Sequence, residues 1–207
     1  WDIVDAADNS IVYGSGTVYA SEDAPVYFTI ENYNEQDNAS LNITENISLA
    51  AWIKYPGGMN NQNTWAIVGK GDGNGSTAGY TLHLKEGEGG IGRLRFGVFD
   101  DDGGYKSITA ENDVSVNEWH HVSGTYDGTS MKIYVDGALI GSTDNTGAIQ
   151  NTTNPLRIGA PENTNVLFEG QIDEVAIWNS ALTASEITAL YYSGTILDAT
   201  SNSGGYT

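Results

Sequence analysis

The residues of this chain that could do chemistry gather in a few short runs. The most acidic of these is Glu169-Gly-Gln171-Ile-Asp173-Glu174. Such a run suggests glycoside hydrolysis, in which retaining enzymes hold two carboxyls about 5 Å apart, one as acid and one as nucleophile. A regular strand does not allow it here. Glu169 and Asp173 are four residues apart, roughly 13 Å at the usual rise, and Glu174 takes the opposite face. His120 and His121 are adjacent, so a strand points them to opposite sides and they cannot act together on one substrate. One is expected in the interior and the other at the surface. His83, in Tyr80-Thr-Leu-His83-Leu, reads as a strand position, and no Ser-His-Asp arrangement can be proposed from spacing. Catalysis is therefore not expected.

Binding chemistry is better represented. Asp173 has the same strand parity as Val175 and Ile177, which puts a carboxylate where a core residue is expected. A buried carboxylate must be paired, hydrogen-bonded or metal-bound. Asp173 either coordinates a cation or caps loop amides. Asp72-Gly-Asn74-Gly-Ser76 mimics the start of a calcium loop, but its twelfth position is His83 rather than the glutamate that an EF-hand requires. Sugar recognition needs flat aromatic faces with polar groups that fix hydroxyls. Tyr55, Trp65, Tyr105, Asp100 and Asp101 have suitable chemistry and lie near loops, whereas Trp52, Trp119 and Trp178 read as core.

Composition narrows the partners. Acidic residues number 27 against 8 Lys and Arg, a formal charge of −19. Nucleic acid is excluded as a partner, because binding it needs a basic stripe to displace counterions. No apolar run approaches the ~20 residues of a membrane helix. There is no cysteine, so the fold does without disulfides. Five Asn-X-Ser/Thr sequons, at Asn38, Asn42, Asn46, Asn74 and Asn151, are compatible with an extracellular or cell-surface location.

The elements that must position these residues follow from periodicity. Ile47, Leu49, Ala51 and Ile53 alternate with Ser48, Trp52 and Lys54. Leu94, Phe96 and Val98 alternate with Arg93, Arg95 and Gly97, and Met131, Ile133 and Val135 with Lys132, Tyr134 and Asp136. A period of two marks half-buried antiparallel strands. Asp136-Gly137 predicts a two-residue hairpin turn. Near the end, Thr183-Ala-Ser-Glu186 is a capping box, Leu182 and Ile187 have staple spacing, and Ile187, Leu190 and Tyr191 form one apolar stripe. One short helix is predicted over 184–192, with a polar tail or linker at 195–207.

Three separated segments then read together: Asn117-Glu-Trp-His-His-Val122 running on to Tyr134-Val-Asp-Gly137, then Pro155-Leu-Arg-Ile-Gly159, then Phe168-Glu-Gly-Gln-Ile-Asp-Glu-Val-Ala-Ile-Trp178. In this order they resemble the laminin-G-like members of the concanavalin A-like lectin/glucanase superfamily, with pentraxins as more distant cousins. The resemblance implies a jelly-roll β-sandwich of two antiparallel sheets over residues 1–194. It also implies a structural Ca²⁺, with Asp173 the best-matching ligand and Glu31 a second one, and it places Glu162 and Asn163 in a ligand loop. Relatives commonly carry Phe-Asp-Gly and an Asp pair where this chain has Tyr27-Phe28-Thr29 and Glu31-Asn32. The glucanase branch carries a central carboxylate where this chain has Gln171. The expectation is a non-catalytic extracellular recognition module for a glycan or cell-surface polysaccharide, flanked by neighbouring domains. A structural or protein-binding domain is the alternative, and a hydrolase or lyase of the same fold a third.

Overall fold

The computed structural model describes residues 41–59, 64–71, 79–102, 104–159 and 168–193, together with the backbone of four short strands before them. Two antiparallel sheets face each other. One runs β1(Val4–Ala6), β2(Ser10–Tyr13), β14(Gln171–Trp178), β5(Ile47–Lys54), β10(His120–Tyr126), β11(Ser130–Val135) and β12(Ala138–Asp144), with β3(Val18–Tyr19) also pairing β14. The other runs β4(Phe28–Ile30), β13(Leu156–Ile158), β6(Thr64–Lys70), β7(Tyr80–Glu86), β8(Gly92–Phe99) and β9(Tyr105–Thr109). This is the expected jelly-roll sandwich.

The alternating residues supply the core. Ile47, Leu49, Ala51 and Ile53 of β5 meet Leu94, Phe96 and Val98 of β8 within one buried cluster. Where Phe96 presses on the opposite sheet, β10 carries Gly124, and a Cβ there would collide with the Phe96 ring. Sheets normally stack about 10 Å apart, so a missing side chain on one sheet lets a large one fill the space from the other.

Asp136-Gly137 turns β11 into β12 with both residues at positive φ, 51° and 75°, as a type I′ turn requires. The capping box is formed: the Glu186 carboxylate accepts the Thr183 amide at 2.7 Å, and the Glu186 amide donates to Thr183 Oγ1 at 3.3 Å. The helix α1(Ala184–Ser193) lies on the outer face of the first sheet, where Ile187 and Leu190 pack with Ala50, Tyr134, Ala176 and Trp178. The expected tail at 195–207 lies outside the described residues.

Tyr55 and Trp65, expected to meet ligand, are interior residues at 1% exposure each. The Tyr55 hydroxyl accepts the Gly92 amide at 3.0 Å and donates to the Val114 carbonyl. It thereby ties the end of β5 to the other sheet. Tyr55→Phe leaves both backbone groups buried without this partner and should cost about 1–3 kcal/mol. Urea unfolding measures it, and an unchanged midpoint would mean the backbone groups re-pair.

Candidate functional site

β14 is not the regular strand that its parity suggests. Its pairing with β5 slips between Asp173 and Ala176, and Glu174 has φ 52°. This β-bulge inserts an extra residue and resets the alternation. Ile172, Val175 and Ile177 therefore all enter the core, while Asp173 stands opposite Trp52 on the outer face, half-buried. The premise that Asp173 faces the Val175 and Ile177 side is corrected by that bulge. Its Oδ1 accepts the Glu174 amide at 2.9 Å. Calcium takes six to eight oxygen ligands. Among the described residues no three His, Asp or Glu side chains converge in a way that could hold a metal. Glu31, Glu162 and Asn163 lie outside the described residues.

The histidines are placed differently from expectation. His121 is buried at 3% exposure, yet not in the sandwich core. It sits beneath α1, edge-on to Trp52, which in turn stacks on Tyr191. Burial lowers its pKa to about 4, against a smaller opposing pull from Asp136. Trp52 and Trp178 belong to this helix-covered layer, and Trp119, expected in the core, is 38% exposed.

His120 completes an arrangement that spacing did not reveal. Its Nε2 lies 2.7 Å from Ser115 Oγ, and its Nδ1 lies 2.8 Å from Asp136 Oδ2. Asp136 Oδ1 accepts the His121 amide at 3.0 Å. Order and distances match a Ser-His-Asp relay. However, the Glu118 carboxylate is 3.5 Å from Ser115 Oγ, and a negative charge there opposes the oxyanion that acyl transfer must stabilise. The contacts do bind the 115–119 loop to the β11–β12 turn.

The outer face of the second sheet carries a different population. In β7 and β8 the residues that alternate with Leu82, Leu84, Leu94, Phe96 and Val98 are Thr81, His83, Lys85, Arg93, Arg95, Gly97 and Phe99. Register puts His83, Arg95 and Thr109 in one row across three strands, and Arg157, Gly69, Thr81, Gly97 and Ser107 in another across five. Tyr105 lies across Gly97, where a Cβ would collide with its ring, and its hydroxyl is 3.4 Å from Thr81 Oγ1. The Arg95 guanidinium sits 4.9 Å from the centre of that ring. It donates from Nε and from a terminal nitrogen to Ser107 Oγ, at 3.1 and 2.8 Å. Glycine at 97 is thus what makes room on the sheet for the Tyr105 ring, with the Arg95 guanidinium over it.

Of the expected ligand residues that are described, only Tyr105 lies on this face. Asp100 is buried, its Oδ1 accepting the Gly104 amide at 2.6 Å and its Oδ2 3.5 Å from Lys106 Nζ, so it shapes the β8–β9 loop. Asp101 is exposed in that same loop. Arg95, Ser107, Thr81, His83 and Arg157 were missed as site residues. Arg95 alternates visibly along its own strand, but Arg157 joins it only through strand order. Of the sequons, Asn151 is exposed, while the Asn42 side-chain oxygen accepts Lys70 Nζ at 2.8 Å.

Comparison with known proteins agrees with this geometry. A laminin-G model described as concanavalin A-like lectin/glucanases superfamily matches residues 28–188. Comparison with curated proteins gave no match. Among solved structures, the native heptameric SAP-like pentraxin from Limulus polyphemus aligns with TM-score 0.56 at 16% identity, over 72% of this chain and 70% of its own. The binding domain of Paraclostridial Mosquitocidal Protein 1 aligns with TM-score 0.61 at 21% identity, over 93% of this chain and 45% of its own. The Botulinum Neurotoxin Type G receptor binding domain aligns with TM-score 0.60 at 19% identity, over 93% of this chain and 46% of its own. The chain thus spans about half the length of those toxin domains, and at such identities the likeness carries the fold alone.

Proposed function

Because the chain belongs to the concanavalin A-like lectin/glucanase superfamily, we propose that it is a non-catalytic, extracellular recognition module that binds a glycan on the outer face of its second sheet. One observation carries this reading: Tyr105 lies across Gly97, with the Arg95 guanidinium over its ring, Phe99 packed beside it and Thr81 at its hydroxyl. An aromatic plane flanked by fixed polar groups suits the C–H face and hydroxyls of a sugar ring. The first sheet's outer face is in contrast closed by α1.

Tyr105→Ala removes the plate and should weaken binding to any glycan found on an array at least tenfold, with the melting temperature little changed. Full binding by this variant would move the site elsewhere. A protein-binding role in a modular surface protein is the competing reading, favoured by exposed Leu139, Tyr192 and Trp119 at 53%, 78% and 38%. An array with no glycan hit, together with capture of a protein ligand lost on Leu139→Asp, would favour it.

A further inference from the structure

The second sheet's outer face is cationic in a protein that is otherwise strongly anionic. The chain holds 27 acidic and 8 basic residues, yet the outward positions of β6, β7, β8, β9 and β13 include Lys85, Arg93, Arg95 and Arg157 and no Asp or Glu. Half of all the lysine and arginine therefore lies on one face. Arg93 is paired with Asp113 at 2.9 Å. Lys85, Arg95 and Arg157 make no ion pair among the described residues. An arginine has five N–H donors, and Arg95 spends two of them on a neutral hydroxyl, Ser107 Oγ. Between these cations His83 is 8% exposed, and its Nε2 is buried without a hydrogen-bond partner among the described residues. Burial, then Arg95 and Lys85, keep this imidazole neutral.

Cations grouped without counterions repel one another, and surface carboxylates are abundant in this chain to neutralise them. Their absence from the described outward positions of this face leaves charge for a ligand to complete. We propose that the face binds an acidic oligosaccharide, whose carboxylate or sulfate groups pair with Arg95, Arg157 and Lys85 while a sugar ring packs against the Tyr105–Arg95 pair. This rests on the glycan-binding reading above. Guanidinium groups suit such anions because their planar fork can donate two parallel bonds to one carboxylate. Arg95 and Arg157 are three strand spacings apart, roughly 14 Å, so a ligand that touches both is an oligomer. The −19 charge opposes approach from afar, but beyond about 8 Å that field is screened at physiological salt, whereas contact pairs are screened less. Binding should therefore persist at physiological and higher salt.

The test uses the full chain in titration calorimetry at physiological salt against three probes: oligogalacturonate, a sulfated galactan oligosaccharide and a neutral galactan oligosaccharide. The expected result is binding to one or both acidic probes and at least tenfold weaker binding to the neutral one. Arg95→Ala and Arg157→Ala should each weaken the acidic interaction about tenfold. Arg157→Glu should weaken it further, and melting curves should stay close to the parent. Arg95→Lys should recover part of the loss, because charge remains while the fork is lost. The uronate and sulfate arms distinguish the two sources of negative charge. Equal or tighter binding of the neutral probe would overturn the acidic ligand and leave the glycan reading intact. Binding to none of the three, or acidic binding unaffected by Arg95→Ala, Arg157→Ala and Arg157→Glu, would overturn the proposal, and an empty broad array would remove the glycan reading as well.

Discussion

Between pH 6.5 and pH 5 the protein is expected to lose about 3 kcal/mol of stability, half of it through each of two buried histidines. Burial holds His121 at a pKa of about 4. It holds His83 at about 3, with Arg95 and Lys85 pushing the same way. Well above pH 6.5 these imidazoles are neutral in both folded and unfolded chains and contribute nothing to the pH dependence. Below it the unfolded chain takes up two protons that the folded chain refuses, so unfolding gains up to about 1.4 kcal/mol per histidine per pH unit. The loss continues until pH falls through the folded values. Against a typical stability of 5–15 kcal/mol, that is a large share. Aspartate and glutamate titrate mainly below pH 5, so this window isolates the histidines from relief of the −19 self-repulsion. Urea midpoints measured across it without ligand should fall steadily, and His121→Gln and His83→Gln should each remove about half the slope. A flat profile from pH 7.5 to pH 5 would show that both rings protonate freely in the folded state.

The second large effect is expected where the Phe96 ring of one sheet meets Gly124 of the other. Phe96→Ala should cost about 3–5 kcal/mol, through lost burial and the cavity left behind. Gly124→Ala should cost about 3 kcal/mol, because its new methyl collides with the Phe96 ring and neither sheet can yield without disturbing its neighbours. The double variant should be far less damaging than the sum, since the methyl then occupies space that the ring has vacated. A coupling of at least about 1 kcal/mol is expected for residues in such contact. A chemical-denaturation cycle over the four proteins measures it. Additive costs would mean that the ring relaxes away from Gly124 in the parent.

The local devices of this fold are legible because each depends on a few consecutive residues. The alternation in Ile47–Lys54 needed only a period of two, the Asp136-Gly137 turn only two residues able to hold positive φ, and the start of α1 only Thr183 and Glu186. The resemblance carried by the Trp-His-His-Val and Gly-Gln-Ile-Asp-Glu-Val segments also named the family that matches residues 28–188.

The candidate site was far less legible. Strand parity placed Asp173 with Val175 and Ile177, but a bulge with Glu174 at φ 52° resets the count, and its advantage lies in pairing and packing with β5. Ser115 and His120 meet Asp136 because β11 returns alongside β10, an arrangement set by long-range pairing. Tyr55 and Trp65 look like surface aromatics near loops, yet the sandwich closes over them. Arg95 and Arg157 are distant in sequence and share a face because β13 inserts between β4 and β6. Within one strand, alternation tells which residues share a side. Which strands lie next to one another is decided by burying both sheets' apolar faces at once, and so the cationic face with Tyr105 near its β9 edge belongs to the tertiary structure.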